Sequence, residues 1–554
     1  MSIQYMNTSA SDKAASPSRA AERAIAFAVF ILGAVLLWLS APHDGEFWWS
    51  DSPRHALNGV FIKDLVAAFP WRDPAGFAAQ YYMQYPALTI LFYPPLFYLI
   101  SAPFFAVMGV SHTTALWVVM VHYIALAFGL YVLARRWLTF SIALAVGLSI
   151  MAIPGVALWG RQVMLEIPAM AFAVWAFVLL RRYCDEAHPS LLYVGAFLLL
   201  CAIYTKFSAI FLVPVAGLML LSAEGQNIWR NRHVWISAAL FIVGFIPVAF
   251  LTLKFGQANL QSITGIADSE VSRASIAGWL WYAAKLPEQL GWLLLFAAGA
   301  GLAASWISRR EIDKVDGVLL LGWFVIGYFF FSMIDLKEAR HSTLLLPPLL
   351  IFAGLAAAKF LPARIGAWLA ISLVVGTGAY TWRYEPVPAV DGYREAANWI
   401  ANHAPDNAIV MFSGKRDGSF IFNMRTHEGR RDLYVIRADK LLLDISVRRE
   451  LGVEQKVFTT QQIGEMLDHY GVQYVVAQSD FWIDLEVMSR LQEALQTNQF
   501  EPAATIAVTA NFPQEDKELR IYRNTHPIPP GRADLKLNLP IIGRSLEGRV
   551  GGEP

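Results

Sequence analysis

The stretch AIAFAVFILGAVLLWLS (residues 24–40) decides the fold class of this chain, because it carries no charge over nearly the length of a membrane crossing. It follows a polar N-terminal segment and precedes an aromatic, charged loop. Since it lacks a cleavage site of the signal-peptide type, we interpret it as an uncleaved first membrane helix. Comparable apolar stretches recur as far as residue 382 and then stop.

The composition supports a polytopic membrane protein. Of the 554 residues, 56% are hydrophobic and 16% are charged, against about 25% charged in ordinary globular domains. No basic block of the kind that binds nucleic acid is present. The two cysteines are too few for a disulfide framework or a cysteine zinc cluster.

A crossing helix needs about 20 mostly apolar residues, and we predict about 11–13 crossings. The candidate spans are 24–41, 87–108, 113–134, 138–155, 167–181, 190–204, 206–222, 234–254, 288–307, 317–334, 342–360 and 364–382. The two spans 87–108 and 113–134 precede the basic pair at Arg135, where an odd number of crossings is required. Either one of them is a re-entrant or interfacial helix, or a third crossing is hidden there.

The distribution of basic residues predicts the orientation, because cytoplasmic ends carry an excess of Lys and Arg. Such clusters occur at Lys13/Arg19/Arg23, Arg135/Arg136, Arg181/Arg182, Arg230/Arg232, Arg309/Arg310/Lys314 and Lys359/Arg364. We therefore predict a cytoplasmic segment 1–23, a membrane domain 24–382 with a large outside loop 42–86, and an extracytoplasmic C-terminal domain.

The C-terminal domain, 383–526, is predicted to be α/β, because helical patterns alternate with strand-like runs. The helical patterns are Tyr393–His403, Thr459–Tyr470 and Asp484–Thr497, and the strand-like runs are Ile409–Phe412, Leu433–Arg437, Tyr474–Ala477, Thr505–Val508 and Leu519–Tyr522. It contains no Gly-rich phosphate loop. We expect the Pro- and Gly-rich tail 527–554 to be poorly ordered.

Asp51 is the first candidate for chemistry. It lies in the outside loop 42–86, where the stretch 51–69 has helical spacing and is predicted to lie along the membrane surface. Ser52 and Pro53 place Asp51 near the helix start. A single loop carboxylate is usually only solvated, so its role depends on what other loops bring to the same side.

Glu166 and Arg161 are the only charges between Arg136 and Arg181. A carboxylate at the head of an apolar span is costly unless it is paired or functional. The two residues either pair with each other and close the loop, or Glu166 faces Asp51 across a cleft. Two carboxylates in one cavity can hold a divalent metal or divide base and ligand roles.

Cations also occur at outside boundaries, against the general trend. Lys206 separates two apolar segments, and Lys337, Arg340 and His341 open a later one. Each alone is explained by snorkelling to lipid headgroups. Together they can hold a phosphate, and Lys337 and Arg340 share a face if their segment is helical.

An ordered set of motifs gives the chain a family resemblance. The motifs are Asp51–Ala56, Leu91–Tyr98, Arg161 with Glu166, Tyr204–Lys206 and Lys337–Pro348. Over residues 24–382 the chain resembles the GT-C glycosyltransferases, specifically the bacterial, family 39-like relatives of the dolichyl-phosphate-mannose protein mannosyltransferases and of the aminoarabinose lipid A transferase. The resemblance implies a bacterial-type plasma membrane as the location.

The resemblance implies a membrane glycosyltransferase with a polyprenyl-phosphate sugar donor and a lipid, glycan or protein acceptor. It implies that Asp51 is the catalytic base or the carboxylate that orients the acceptor, with Glu166 assisting, and that either carboxylate could bind a divalent metal. Donor phosphate would be bound by Lys206, Lys337, Arg340, Arg161 and His341. Aminoarabinose-type relatives carry another acid near the Pro-Pro segment, whereas residues 80–98 contain none, which weakens the prediction of a metal.

The sequence is also compatible with two other classes of function. A transporter or flippase also lines its path with charges, but such proteins usually show repeated halves and mid-span polar residues. No internal repeat is evident here, and most charges lie at boundaries. A membrane-anchored sensor or assembly protein is the other alternative.

Overall fold

The computed structural model describes residues 18–256, 271–307, 312–445, 449, 452–526, 533–539 and 544–550. The basic residues at Lys13, Arg309 and Arg310 lie outside the described residues, as does part of the segment 255–287 between the predicted spans 234–254 and 288–307. The part up to residue 384 is almost entirely helical.

The membrane part contains α1 (Arg19–Leu39), α2 (Asp51–Ala68), α3 (Pro74–Gln84), α4 (Leu96–Met108), α5 (His112–Ala134), α6 (Phe140–Ala152), α7 (Pro154–Gly160), α8 (Glu166–Glu186), α9 (Pro189–Thr205), α10 (Leu212–Glu224), α11 (Arg232–Phe255), α12 (Ile276–Leu290), α13 (Trp292–Ile307), α14 (Lys314–Ser332), α15 (Leu346–Phe360) and α16 (Ala363–Tyr384). Within the described residues, eight helices, or ten when two bent pairs are included, are long and apolar enough to cross a membrane. Two shorter apolar helices are α4 and α9. The predicted polytopic helical fold is confirmed.

Charged residues define the two ends of the helix bundle. Glu166 begins α8, and Arg181 lies 15 residues further along it, a separation of about 22 Å at the α-helical rise. At the Arg181 end, the buried carboxylate of Asp316 accepts hydrogen bonds from Arg181, Arg136 and Trp137. The chain segments with the predicted basic clusters at Arg136 and Arg181 therefore meet at one end, and Glu166 lies at the other.

Helix α4 explains the uneven number of crossings before Arg135. The Tyr98 hydroxyl, in the first turn of α4, forms a hydrogen bond with the His55 ring of α2 (2.9 Å). Just beyond the end of α4, the imidazole of His112 accepts a hydrogen bond from the backbone of Gly45 (3.2 Å). The start of α4 and the first residue of α5 thus both contact the loop 42–86, and the 13 residues of α4 span only about 20 Å. The structure favours the re-entrant or interfacial alternative for the first segment, with α5 as the crossing.

Helix α2 is more deeply buried than its sequence pattern predicted. Its buried positions include Pro53, His55, Ala56, Asn58 and Phe61, which lie on every side of the helix. The predicted amphipathic helix with one face in the membrane surface is therefore wrong. Instead, α2 packs between α4 and the C-terminal domain.

The C-terminal domain is α/β, as predicted. It contains β1 (Val390–Asp391), α17 (Tyr393–His403), β2 (Ile409–Ser413), α18 (Asp417–Thr426), β3 (Tyr434–Arg437), α19 (Ala438–Leu442), β4 (Leu443–Ile445), β5 (Val453–Gln455), α20 (Thr460–His469), β6 (Val472–Ala477), α21 (Glu486–Ala494), β7 (Phe500–Ala507), β8 (Thr509–Ala510) and β9 (Glu518–Asn524). Its main sheet has the order β3-β2-β6-β9-β7. The first three strands are parallel, and β9 pairs antiparallel with both β6 and β7.

The described part of the tail 527–554 contradicts the prediction of poor order, and the rest of the tail lies outside the described residues. Residues Ala533–Leu539 (β10) and Arg544–Val550 (β11) form an antiparallel hairpin. Its backbone at Arg549 accepts a hydrogen bond from Gln80 of α3 (3.0 Å). The sequence suggested disorder because of its Pro and Gly content, but docking on α3 provides the order that local composition does not.

Candidate active site

Asp51 begins α2 at the end of the bundle that faces the C-terminal domain. The carboxylate lies in the first turn, where the positive end of the helix dipole favours an anion. Its Oδ2 atom accepts a hydrogen bond from Arg340 Nη1 at 2.9 Å, and the side chain is 22% exposed. The strongest candidate acid is therefore paired and only partly accessible.

Arg340 connects the two candidate acids. It lies in a short 3-10 helix, Ala339–Leu345, that leads into α15. Besides Asp51, its guanidinium contacts Glu338 Oε2 at 2.5 Å and lies 4.0 Å from Glu166 Oε1. Because a guanidinium offers a planar fork of donors, one Arg can serve carboxylates on several sides.

Glu166 is held by a second cation, Lys206. The Lys206 ammonium donates to Glu166 Oε1 at 2.6 Å. Lys206 interrupts the helix after α9 with an extended backbone conformation, which places its ammonium at the head of α8. The other oxygen of Glu166, Oε2, is buried without a hydrogen-bond partner among the described residues. It is free to accept a hydrogen bond from a ligand hydroxyl.

The electrostatics keep Asp51 ionised. Burial raises its pKa, but the opposing attraction of Arg340, with smaller contributions from His55 and Arg54, holds that pKa well below its usual range. Burial also lowers the pKa of His55 to about 4, despite the nearby Asp51 carboxylate. His55 is thus a neutral imidazole at neutral pH.

Aromatic side chains pack beside Asp51. The His55 ring lies 4.8 Å from the Tyr93 ring and hydrogen-bonds Tyr98. Burial raises the pKa of Tyr93 well above its usual value, and the adjacent Asp51 carboxylate adds to this effect. Tyr93 belongs to the Pro-Pro segment 91–98, but no pattern in the sequence identifies this ring as a neighbour of Asp51.

Two of the predicted phosphate ligands, Arg161 and Lys337, have other surroundings, and a third, His341, lies beside the cluster. Arg161 donates to the backbone carbonyls of Ala157 (3.0 Å) and Glu385 (2.9 Å), so the predicted alternative of an Arg161–Glu166 pair is not what the structure shows. Lys337 donates to the carbonyls of Phe331 and Ser332 at the end of α14. His341 has a buried Nδ1 without a hydrogen-bond partner within the described residues.

Lys337 and Arg340 do not share a helix face. The 3-10 helix begins only at Ala339, so Lys337 precedes it and turns back towards α14. Its ammonium lies 5.4 Å from the Tyr282 ring. The structure thus brings together Asp51, Glu166, Lys206 and Arg340, with His341 adjacent, and separates Lys337 and Arg161 from them by their own contacts.

The two carboxylates do not fit the predicted divalent metal in this arrangement. Asp51 Oδ2 is paired with Arg340 and Glu166 Oε1 is paired with Lys206, and metal binding needs carboxylate oxygens that face the ion. In the described part of the chain, no group of three or more His, Cys, Asp or Glu side chains is placed to hold a metal.

Comparison with known proteins supports the fold. Residues 93–250 match the family model described as dolichyl-phosphate-mannose-protein mannosyltransferase. This range includes Tyr93, Glu166 and Lys206, whereas Asp51 and Arg340 lie outside it. No curated protein matches the sequence.

Solved structures match over nearly the whole chain. ArnT from Cupriavidus metallidurans in the apo state has a TM-score of 0.60 at 14% identity, covering 91% of this chain and 98% of ArnT. The chain has the GT-C fold of the membrane glycosyltransferases. The same ArnT bound to undecaprenyl phosphate has a TM-score of 0.57 at 13% identity, with 89% and 97% covered. The apo oligosaccharyltransferase of Archaeoglobus fulgidus has a TM-score of 0.55 at 12% identity, with 84% and 70% covered.

Proposed function

We propose that this protein is an integral membrane glycosyltransferase. It moves a hexose or pentose from a polyprenyl-phosphate donor to an acceptor hydroxyl on the extracytoplasmic side of a bacterial-type plasma membrane. The observation that carries the proposal is the cluster of Asp51, Arg340, Glu166 and Lys206 at one end of a GT-C bundle. The relative bound to undecaprenyl phosphate supports a polyprenyl-linked donor.

The two cations neutralise the leaving group. When the bond between the anomeric carbon and the phosphate oxygen breaks, the electron pair leaves with the polyprenyl phosphate. Arg340 and Lys206 are the cations of the cluster, and charge-assisted hydrogen bonds from them stabilise that growing charge. Without donor, Asp51 and Glu166 occupy these cations, so the phosphate competes with carboxylates for Arg340.

Asp51 takes the proton of the acceptor. The acceptor oxygen attacks the anomeric carbon as its proton passes to the carboxylate, which serves as general base. While Arg340 binds Asp51, the carboxylate is a weak base; movement of Arg340 towards donor phosphate strengthens it. Glu166 remains paired with Lys206, and its free Oε2 orients a sugar or acceptor hydroxyl.

The proposal is tested with the purified full-length chain in lipid nanodiscs and a panel of radiolabelled polyprenyl-phosphate sugars. We expect release of polyprenyl phosphate with at least one donor, and loss of that release in Asp51→Asn. If no donor is cleaved and the protein instead conducts a polar or lipid-linked solute across liposomes, the transporter alternative replaces this proposal.

A chelator distinguishes the role of metal in the same assay. Because Arg340 and Lys206 already provide the positive charge, we expect activity to survive EDTA treatment. Loss of activity in EDTA, restored by one divalent cation, would return the metal role to Asp51 and Glu166.

A further inference from the structure

Helix α18 of the C-terminal domain runs alongside α2, the helix that begins with Asp51. At their beginnings, both oxygens of Asp417 accept hydrogen bonds from Arg54 Nη2, at 2.9 and 2.7 Å. Near their ends, Arg425 Nη2 donates to Asp64 Oδ2 at 2.7 Å. The N-terminal ends of the two helices contact each other, and so do their C-terminal ends, so α2 and α18 are parallel.

The two ion pairs have opposite polarity and fix the register of the helices. The basic partner is on α2 in the first pair and on α18 in the second. In the second pair the Arg425 side chain is 0% exposed and that of Asp64 is 2% exposed. Breaking such a buried pair leaves an uncompensated charge, which is strongly unfavourable. Sliding α18 along α2 by one turn would break both pairs together.

Arg54 extends this contact to the backbone next to Asp51. Its Nη1 atom donates to the carbonyl of Ser50 at 2.7 Å, and Ser50 provides no side-chain cap for α2. The same guanidinium therefore joins the residue before Asp51 to the C-terminal domain. Asp417 is held in turn by Arg437 at 2.8 Å.

Gly418 allows the close approach of the two helix starts. A Cβ atom at this position would lie 3.0 Å from Arg54 Nη1, 3.1 Å from Pro53 Cγ and 3.5 Å from the Ser50 carbonyl oxygen. A larger side chain would therefore push α18 away from the first turn of α2. The contact depends on this one small residue.

We propose that α18 is a positioning element for Asp51, acting through the Arg54–Asp417 pair and the contact at Gly418. This gives the C-terminal domain a direct part in the reaction, beyond any recognition of the acceptor. The inference rests on the proposed function, because Asp51 is placed for a transfer reaction. Asp417 and Gly418 are positioning residues.

The first measurement does not depend on activity. Hydrogen–deuterium exchange of peptides covering residues 48–60 reports whether the first turn of α2 is held. In the full-length protein we expect faster exchange there in Asp417→Asn and in Gly418→Leu. Asp417→Glu retains the charge and should restore slow exchange. Unchanged exchange in both disruptive variants would overturn the proposal.

Matched controls separate this contact from general damage to the domain. Asp44→Asn removes a loop–domain ion pair with Arg394 (2.8 Å) whose acid is 73% exposed. Gly429→Leu adds the same side chain to the same domain at a position where a Cβ meets no described atom within 4 Å. We expect neither control to change exchange in α2.

The second measurement is transfer kinetics of the folded protein. A displacement of about 1 Å can cost 10²-fold in rate, so we expect kcat to fall about 10- to 100-fold in both variants, with KM for donor within about twofold. Faster exchange with normal kcat would overturn the role in catalysis. If the wild type cleaves no donor, the proposed function fails, while the exchange result still decides whether α18 holds α2.

Discussion

Arg340 and Asp51, 289 positions apart in the sequence, form a hydrogen-bonded ion pair with an Nη1–Oδ2 distance of 2.9 Å. The pair joins the start of α2 to the 3-10 turn before α15. In the proposed reaction the two residues have complementary roles, since one binds the leaving phosphate and the other receives the acceptor proton. Mutations of the two residues should therefore affect different steps, donor binding for Arg340 and turnover for Asp51.

Asp51→Asn should lose turnover while retaining donor binding. General base catalysis contributes about 10²- to 10⁴-fold, and we expect kcat to fall by that order. Binding of polyprenyl phosphate should be unchanged or tighter, because Arg340 loses a competing anion. Single-turnover release and equilibrium binding measure the two effects, with Asp44→Asn as the control in the same loop. Equal turnover in Asp51→Asn would remove Asp51 from the base role.

Arg340→Ala should instead weaken donor binding. A hydrogen bond to a charged group contributes about 1.5–3 kcal/mol, so KM for donor should rise about 10- to 100-fold. Arg340→Lys should restore little of the donor binding, because an ammonium lacks the planar set of donors with which the guanidinium serves both Asp51 and Glu166. Titration with polyprenyl phosphate checks this. An unchanged KM in Arg340→Ala would place the phosphate elsewhere.

Lys206→Met and Lys337→Met should have separate effects. Lys206 contacts Glu166 in the site, so its loss should raise KM for donor. Lys337 binds carbonyls at the C-terminal end of α14, where a cation contributes about 0.3–1 kcal/mol. Lys337→Met should lower thermal stability slightly and leave KM unchanged. A higher KM in Lys337→Met would restore it to the phosphate site.

The sequence predicted the helical membrane fold, but not the fine placement of side chains. Apolar runs mark the spans because backbone groups in lipid must be satisfied within a helix. A bundle of membrane helices has only two ends. The order of the predicted spans therefore assigned Asp51, Glu166, Lys206 and Arg340 to the same end. Whether a side chain turns into the site is decided locally.

Lys337 and α18 illustrate what local patterns leave undetermined. The 3-10 turn starts at Ala339, and this detail separates Lys337 from Arg340. The docking of α18 on α2 depends on pairs more than 360 positions apart. Neither hydropathy nor periodicity contains that information, which arises only when the two domains pack.

The pH dependence should change when Arg340 is removed. In the folded protein the pKa of Asp51 lies below its unfolded value of about 3.9. Its ionised form therefore stabilises the fold above about pH 4, and this contribution is lost as pH falls through the lower folded value. His55, with a pKa of about 4 through burial, also stays in one form at neutral pH.

From these directions, the wild type should show no fall in kcat/KM due to either group between about pH 5 and 7. In Arg340→Ala, burial acts on Asp51 without its main opposing charge and raises its pKa. The acid limb of kcat/KM should therefore move towards neutral pH. Profiles measured with saturating acceptor test this shift, and coincident acid limbs in the two proteins would contradict it.

Asp316→Asn, at the opposite end of the bundle, should affect stability and not catalysis. Asp316 is 2% exposed and accepts hydrogen bonds from Arg181 (2.5 Å), Arg136 (3.0 Å) and Trp137 (2.9 Å). Removing one partner of a buried ion pair costs about 3–5 kcal/mol. Because Asp313 also pairs with Arg181 at 2.6 Å, we expect the lower part of that range.

Thermal unfolding and kcat of the folded fraction measure the two sides of this prediction. Glu186→Gln is the control, since its exposed pair with Arg182 at i, i+4 contributes only about 0.3–0.5 kcal/mol. Asp316 lies near the Arg181 end of α8, whereas Glu166 begins that helix. Because the two ends are far apart, we expect removal of the Asp316 charge to leave kcat within about twofold. A large fall in kcat at unchanged stability would show that the two ends of the bundle are coupled during the reaction.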